Sequence, residues 1–241
     1  GNGQCYVQMV VTGTAGALTW TGTNGNSWDL GTTVNWLNAG NADVFSNLDT
    51  VTFNDTSANG GVNINGTVQP AIILVSNNVT SFTFSNGVIA GFTALVKSGP
   101  GLLSLNVSNG FTGGTTISGG EVDVNNQNAL GTNKVSLNNA TLYLNDASPA
   151  NNLAVLGTNT LRITSQAGNT FPNFNLTGSG RLNLTIDGNS VFSPGGNWSA
   201  FSGYIYFTGV KSLRALSPNV SSANAIWDLG TGGGIYNKDG G

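Results

Sequence analysis

From about residue 60 onward, apolar residues come in pairs that flank one polar position. The first series runs Val62-Asn63-Ile64, Phe82-Thr83-Phe84, Leu103-Ser104-Leu105 and Val122-Asp123-Val124. It continues through Leu142-Tyr143-Leu144, Leu161-Arg162-Ile163, Leu182-Asn183-Leu184 and Ile205-Tyr206-Phe207, with steps of 20, 21, 19, 20, 19, 21 and 23 residues. A second series lies between them: Ile117, Val135/Leu137, Leu153/Val155 and Phe174/Leu176. An apolar–polar–apolar triplet in a strand puts both apolar side chains on one face. Two interleaved series with one period of about 20 residues describe a chain that returns to the same azimuth on every circuit, the signature of a solenoid. A β-sandwich also has short strands at regular spacing, but it does not keep one period for so long. The prediction is an all-β parallel β-helix with coils of about 20 residues, eight or so of them making a rod roughly 40 Å long. Asn-Gly, Gly-Gly and Asn-Asn steps such as Asn86-Gly87, Gly113-Gly114 and Asn138-Asn139 supply the corners, because these residues tolerate positive φ. Asn and Thr at equivalent places in successive coils are expected to stack as side-chain ladders. No stretch carries a 3.6-residue period, so little helix is expected.

The first part of the chain departs from this beat. Residues 18–55 hold three of the five tryptophans, Trp20, Trp28 and Trp36, together with Asp29, Asp43, Asp49 and Asp55. The expected division is a Trp-rich leader or β cap over 1–57, with a leading strand at Tyr6–Val11, and the repeats over 58–241. An open solenoid end is an unpaired sheet edge, so the leader is placed as a cap on one end. The other end shows no comparable cap, and Gly1 and Lys238–Gly241 read as the limits of a piece of something longer.

Composition narrows the function classes. Only 7% of residues are charged, with 7 Lys+Arg against 10 Asp+Glu and no histidine. Nothing here suits a nucleic-acid surface, which needs a basic stripe. The commonest general base and the commonest Zn or Cu ligand are both missing. No apolar run approaches the ~20 residues of a membrane span. The single cysteine, Cys5, cannot form an intrachain disulfide; it is either a free thiol near the N-terminus or a point of intermolecular linkage.

Candidate chemistry is sparse. Glu121 and Asp123 lie two apart on one predicted strand and face outward together, but no third acid or base stands in register, so they read as solvated charges. Arg162 and Arg181 lie one coil apart without an acidic cluster to share. Asp43, Asp49, Asn54 and Asp55 are oxygen ligands of the kind Ca²⁺ takes, yet their spacing fits no known loop and suits Asx turns at loop starts. Trp20, Trp28 and Trp36 recur at 8-residue steps and serve either as buried cap residues or as a platform for sugar rings. Tyr143 and Tyr206 occupy outward positions and are candidates for a binding stripe for a glycan or a partner surface. No catalytic residue, metal site or cofactor is assigned.

One stretch resembles a known family. Leu95-Val96-Lys97-Ser98-Gly99-Pro100-Gly101-Leu102-Leu103-Ser104-Leu105, then Phe111-Thr112-Gly113-Gly114-Thr115-Thr116-Ile117, then Ala129-Leu130-Gly131 are similar to the autotransporter-associated β-strand repeat, or passenger-associated transport repeat. Pro100 stands where Thr is common and Phe111 where Tyr is. Asn197-Trp198 followed by Leu213-Arg214-Ala215-Leu216 looks like a degenerate further copy. The resemblance implies a right-handed parallel β-helix, secreted or held on a bacterial surface. The expected role is a non-catalytic structural or adhesive module that contacts a glycan or a host or cell surface. It is also expected to self-associate through the solenoid ends or the N-terminal segment. The alternative is a carbohydrate-binding or polysaccharide-degrading β-helix.

Overall fold

The computed structural model describes residues 14–164, 173–187, 194–208 and 222–230, with Val220 and the short strands Asn169–Thr170, Val191–Phe192 and Ser212–Leu213. Cys5, the strand expected at Tyr6–Val11, Pro172, Pro218 and residues 214–216 of the degenerate copy lie outside the described residues. Among the described residues there is no helix. The chain winds as a β-solenoid with two long faces, each a sheet of ten strands, and short strands on a third side in places.

The first face includes Ala17–Trp20, Thr50–Phe53, Ile72–Ser76, Ala94–Ser98, Thr115–Ile117, Val135–Asn138, Leu153–Leu156 and Leu176–Gly178. The second includes Ser27–Trp28, Gly61–Ile64, Phe82–Ser85, Leu102–Leu105, Glu121–Val124, Thr141–Asn145, Thr158–Thr164, Arg181–Asp187, Tyr204–Thr208 and Ile226–Asp228. Neighbouring strands in these two runs are parallel, so Leu103 lies against Val122 and Val122 against Leu142. The exceptions sit at the N-terminal end. There Trp36–Asn38 pairs antiparallel with Ala17–Trp20, and Asn41–Asp43 pairs antiparallel with Trp36–Asn38. This hairpin covers the edge of the first face with a strand only three residues long, one way native sheets blunt an exposed edge. Both faces run across the expected boundary at 57/58 without a break: Thr50–Phe53 pairs with Ile72–Ser76 and Ser27–Trp28 with Gly61–Ile64.

Alternation decides what fills the interior. Inward positions such as Leu95, Leu103, Ile117, Val122, Leu142, Val155 and Leu182 are all buried. Aromatic rings concentrate at the two ends and aliphatic side chains between them. Near the N-terminus Phe53 packs against Trp20, Trp28, Trp36, Phe82 and Phe84, with centroid separations of 4.9 to 5.8 Å. Toward the other end Phe174, Trp198 and Trp227 stack in sequence, 5.6 and 5.9 Å apart. Large rings bring much apolar area to these coils.

Three registers differ from the spacing read in the sequence. Val62 lies opposite Phe84 rather than Phe82, Leu161 opposite Leu184 rather than Leu182, and Leu153 rather than Val155 opposite Leu176. Each difference is a slip of two residues. A slip of one would turn every side chain over, whereas a slip of two keeps the apolar side chains inside, so triplet spacing alone cannot detect it. The slip also places buried Asn159 opposite Leu182, where its amide oxygen accepts the Ala140 N–H at 3.1 Å.

The expected ladders occur at a corner of the second face: Asn145 donates to Asn125 at 2.7 Å and Asn125 to Asn106 at 2.9 Å. On the outer side of the first face one column runs through all ten strands: Ala42, Leu37, Thr19, Thr52, Leu74, Val96, Thr116, Ser136, Ala154 and Thr177. Not one of these residues is charged.

Candidate contact face

The outer side of the second face is different in kind. Its columns carry Asp123, Tyr143 and Arg162 in successive strands, and Glu121, Thr141, Thr160, Asn183, Tyr206 and Asp228 beside them. Arg181 and Tyr204 pair in a third column. Parallel strands in register bring such side chains together at each step along the rod.

Two arginine–tyrosine pairs dominate. The Arg162 guanidinium lies 4.4 Å from the Tyr143 ring centroid, and its Nε donates to Asp187 Oδ2 at 2.7 Å. That bond to Asp187 holds the guanidinium protonated more firmly than usual. The Tyr143 hydroxyl is 3.0 Å from the Thr164 hydroxyl. Arg181 lies 4.4 Å from the Tyr204 centroid and 5.4 Å from that of Tyr206, and its Nε donates to Asn183 Oδ1 at 2.8 Å. Tyr204 donates its hydroxyl hydrogen to the Asp228 carboxylate, which pushes the phenol pKa up and the carboxyl pKa down. The Arg181 charge also helps to hold the Asp228 carboxyl pKa down. Beside these pairs lies a shallow depression of about 380 Å³, bounded by Glu121, Asn139, Thr141, Thr158 and Thr160. Thr158 stands in register with Arg181 on the next strand.

Tyr143 and Tyr206 both face outward on this surface. They lie three strands apart in different columns, and an arginine covers a face of each ring. Tyr204 is a third outward tyrosine that the triplet reading missed. Because Ile205 and Phe207 face inward, the same alternation places Tyr204 outward beside Tyr206. Trp20, Trp28 and Trp36 are a correction to the glycan-platform expectation. All three are buried and in edge or tilted contact with one another or with Phe45 and Phe53. They have no open ring face on which a sugar can lie.

The acidic candidates spend their oxygens on the backbone. Asp55 accepts N–H bonds from Asn78, Val79 and Thr80, which lower its carboxyl pKa well below the usual range. Buried Asp49 accepts from Gly16 at 2.6 Å and Ser46 at 2.7 Å. Asp43 accepts from Val44 at 2.8 Å and from the Asn38 amide at 3.0 Å. Burial would raise the Asp29 pKa, but bonds from Thr33 and Ser27 outweigh it and the net shift is downward. Glu121 and Asp123 have Leu102, Ser104, Thr141 and Tyr143 as register partners, so the adjoining strands bring no further carboxylate or amine to them.

The stretch that carried the family resemblance has its own internal logic. Lys97 points inward between Val75 and Ile117 and is completely buried. Its ammonium donates to the carbonyls of Gly99 at 2.8 Å, Ser98 at 3.0 Å and Gly119 at 3.4 Å. Burial pulls its pKa down to about 8. The corner it closes leaves no room for side chains. Gly99 has φ +75°, and a Cβ there would come within 2.4 Å of the Asn77 carbonyl. Gly120, at φ +65°, would bring one within 2.5 Å of the Gly99 carbonyl. Lysine, the spaced glycines and the leucine strand are thus one device: a charged plug for carbonyls that turn away from the sheet. Residues 95–124 match the family model of the passenger-associated transport repeat. This stretch is similar to that transport repeat. The matched repeat sits in the middle of the two ten-stranded faces, flanked on both sides by further coils of the solenoid. A stretch of 76 residues, 31% of this chain, is 41% identical to the adhesin BmaC autotransporter of Brucella suis biovar 1 (strain 1330). The match spans 2% of that protein's length. No solved structure matches the chain.

Proposed function

We propose that this chain is an adhesive rod segment of a bacterial surface or secreted protein, and that it has no catalytic role. The observation that carries the proposal is the contrast within one solenoid: a transport-repeat scaffold with a uniform interior, displaying two Tyr–Arg pairs and their acids on one outer face. Similarity to a Brucella adhesin supports it. The contact is made by the second face. Arg181, the Asn183 amide N–H groups and the Tyr206 hydroxyl offer donors, and the Glu121 carboxylate offers acceptors. A polyhydroxylated glycan or a polar patch on a cell-surface protein presents matching groups. The depression lined by Glu121, Asn139, Thr141, Thr158 and Thr160 presents hydroxyl, amide and carboxylate groups of the kind a glycan engages.

The test is binding of the purified chain to a glycan array and to whole cells, comparing wild type with Arg181→Ala and Tyr206→Ala. Binding that falls at least tenfold in both variants, with unchanged melting curves, supports the reading. Accumulation of reducing ends or unsaturated sugar products would replace it with the polysaccharide-degrading alternative.

A further inference from the structure

The outer side of the first face is unusual for the opposite reason. Around the middle of its uncharged column lies an apolar block of Leu48, Ile72, Leu74, Phe92, Ala94 and Val96. Ile72 faces Ala94 and Leu74 faces Val96 across adjacent strands. Leu48 and Phe92 come two residues before Thr50 and Ala94 and hold the alternation that points outward. Phe92 is 93% exposed and Leu48 61%. Leu48 also has φ 75°, a conformation that usually goes to Gly or Asn. An exposed leucine in that conformation adds nothing to the interior.

We infer that this face pairs with the same face of a second copy of the chain, side by side along the rod. Flanking outward positions Thr50, Ser76, Ser98, Asn138 and Leu156 are uncharged as well, and the charges at its margins are Asp43 in the outermost strand and Lys134 just before Val135. A copy of this surface therefore meets it without burying an unpaired charge, whose desolvation ordinarily penalises contact. Two flat sheets pack face to face about 10 Å apart. Ten strands at about 4.8 Å, each presenting a width of about 13 Å, give on the order of 600 Å² per partner. The pair then buries about 1,200 Å², at the lower limit of interfaces that hold a specific complex, so the dimer is weak and reversible. Other occupants fit less well. An acidic partner finds no Arg or Lys on these strands' outer positions. A membrane finds no outward Trp, Tyr or Lys to anchor there, and the chain's net charge of −3 opposes an anionic surface. The N-terminal edge is a poorer route to association, because its outermost strand is short and carries Asp43.

The inference does not depend on what the second face binds. Sedimentation velocity of the full chain, with Cys5→Ser to exclude a disulfide-linked pair, tests it over a dilution series up to about 1 mM, where contacts of a few kcal/mol become visible. The expected result is a reversible rise in sedimentation coefficient toward that of a dimer. Phe92→Asp and Val96→Asp should each raise the dissociation constant at least tenfold. Val79→Asp, which changes an 86% exposed valine elsewhere, should leave it unchanged. Phe92→Asp and Val96→Asp should melt like the parent, since the altered side chains lie outside the interior, while Val79→Asp should melt slightly lower because its carboxylate stands beside that of Asp55. A monomer at every concentration, a dimer indifferent to Phe92→Asp, or equal weakening by Val79→Asp overturns the inference. So does association with vesicles of anionic lipid that Phe92→Asp abolishes while the chain alone stays monomeric.

Discussion

The two long faces share one interior and present opposite exteriors. Inside, both contribute buried aliphatic residues at alternate positions, and Leu95 on the first is as well covered as Leu103 on the second. Outside, the second carries Glu121, Asp123, Arg162, Arg181, Asp187 and Asp228 with three of the chain's five tyrosines, in a protein with only 17 charged residues. The first carries a ten-strand column without a charge. Stacking constrains the inward positions, since each coil must cover its neighbour. It leaves the outward ones free, and the two sides have used that freedom differently.

The comparison is sharpest where the faces should behave alike. Leu95→Ala and Leu103→Ala each remove a fully covered side chain, and each should cost about 2–5 kcal/mol in chemical denaturation. The two costs should agree to within about 1 kcal/mol; a larger gap would mean that the faces do not share one cooperative interior. Next comes Lys97, a fully buried charge on an inward position of the first face. Its folded pKa, about 8, lies below the ordinary 10.5. Between those values the unfolded chain holds the proton and the folded chain does not, so stability rises as pH increases through that window, by up to about 3 kcal/mol. Lys97→Met should flatten that rise, measured as the change in denaturation midpoint between pH 8 and 10.5.

Smaller again is the acid response of Asp55, which ties its coil to the backbone of Asn78–Thr80. Its pKa is depressed in the fold, so its contribution is complete above the ordinary carboxylate range and is lost as pH falls below it. Asp55→Asn should lower the melting temperature at pH 7 and shrink the further drop seen between pH 4 and pH 2. The smallest effect belongs to the outer pairs. Arg162→Ala should cost no more than about 1 kcal/mol, because both ends of its bond to Asp187 remain partly in water. It should nevertheless change the second face's binding, while outward changes on the first face affect only association between copies.

The solenoid was legible because alternation and return distance both leave marks in a linear sequence. The exact registers were not, since Leu182 and Leu184 are equally good inward neighbours for Leu161 and only the coordinates choose between them. Trp28 shows a similar ambiguity. An aromatic in a polar, Asn-rich leader reads as platform or as core, and the hairpin that buries it depends on contacts with Phe45 and Phe84. Tyr204 was within reach, because parity with Ile205 already points it outward. Lys97 breaks the apolar rule at an inward position, and what satisfies its ammonium is a set of carbonyls at a corner whose shape no local pattern encodes. The uncharged column runs through Thr52, Leu74, Val96 and Thr116. It is visible in the sequence only after the coil lengths are known.

Those lengths vary. Leu103 and Val122 are 19 residues apart, Leu182 and Ile205 are 23, yet strand follows strand without interruption. The slack is taken up at the bends. Duplicating or losing one complete circuit would therefore alter the reach of the rod by about 4.8 Å and leave the remaining lattice of contacts as it was. A fold of this type can be lengthened or shortened in small fixed increments while its decorated side keeps facing the same way.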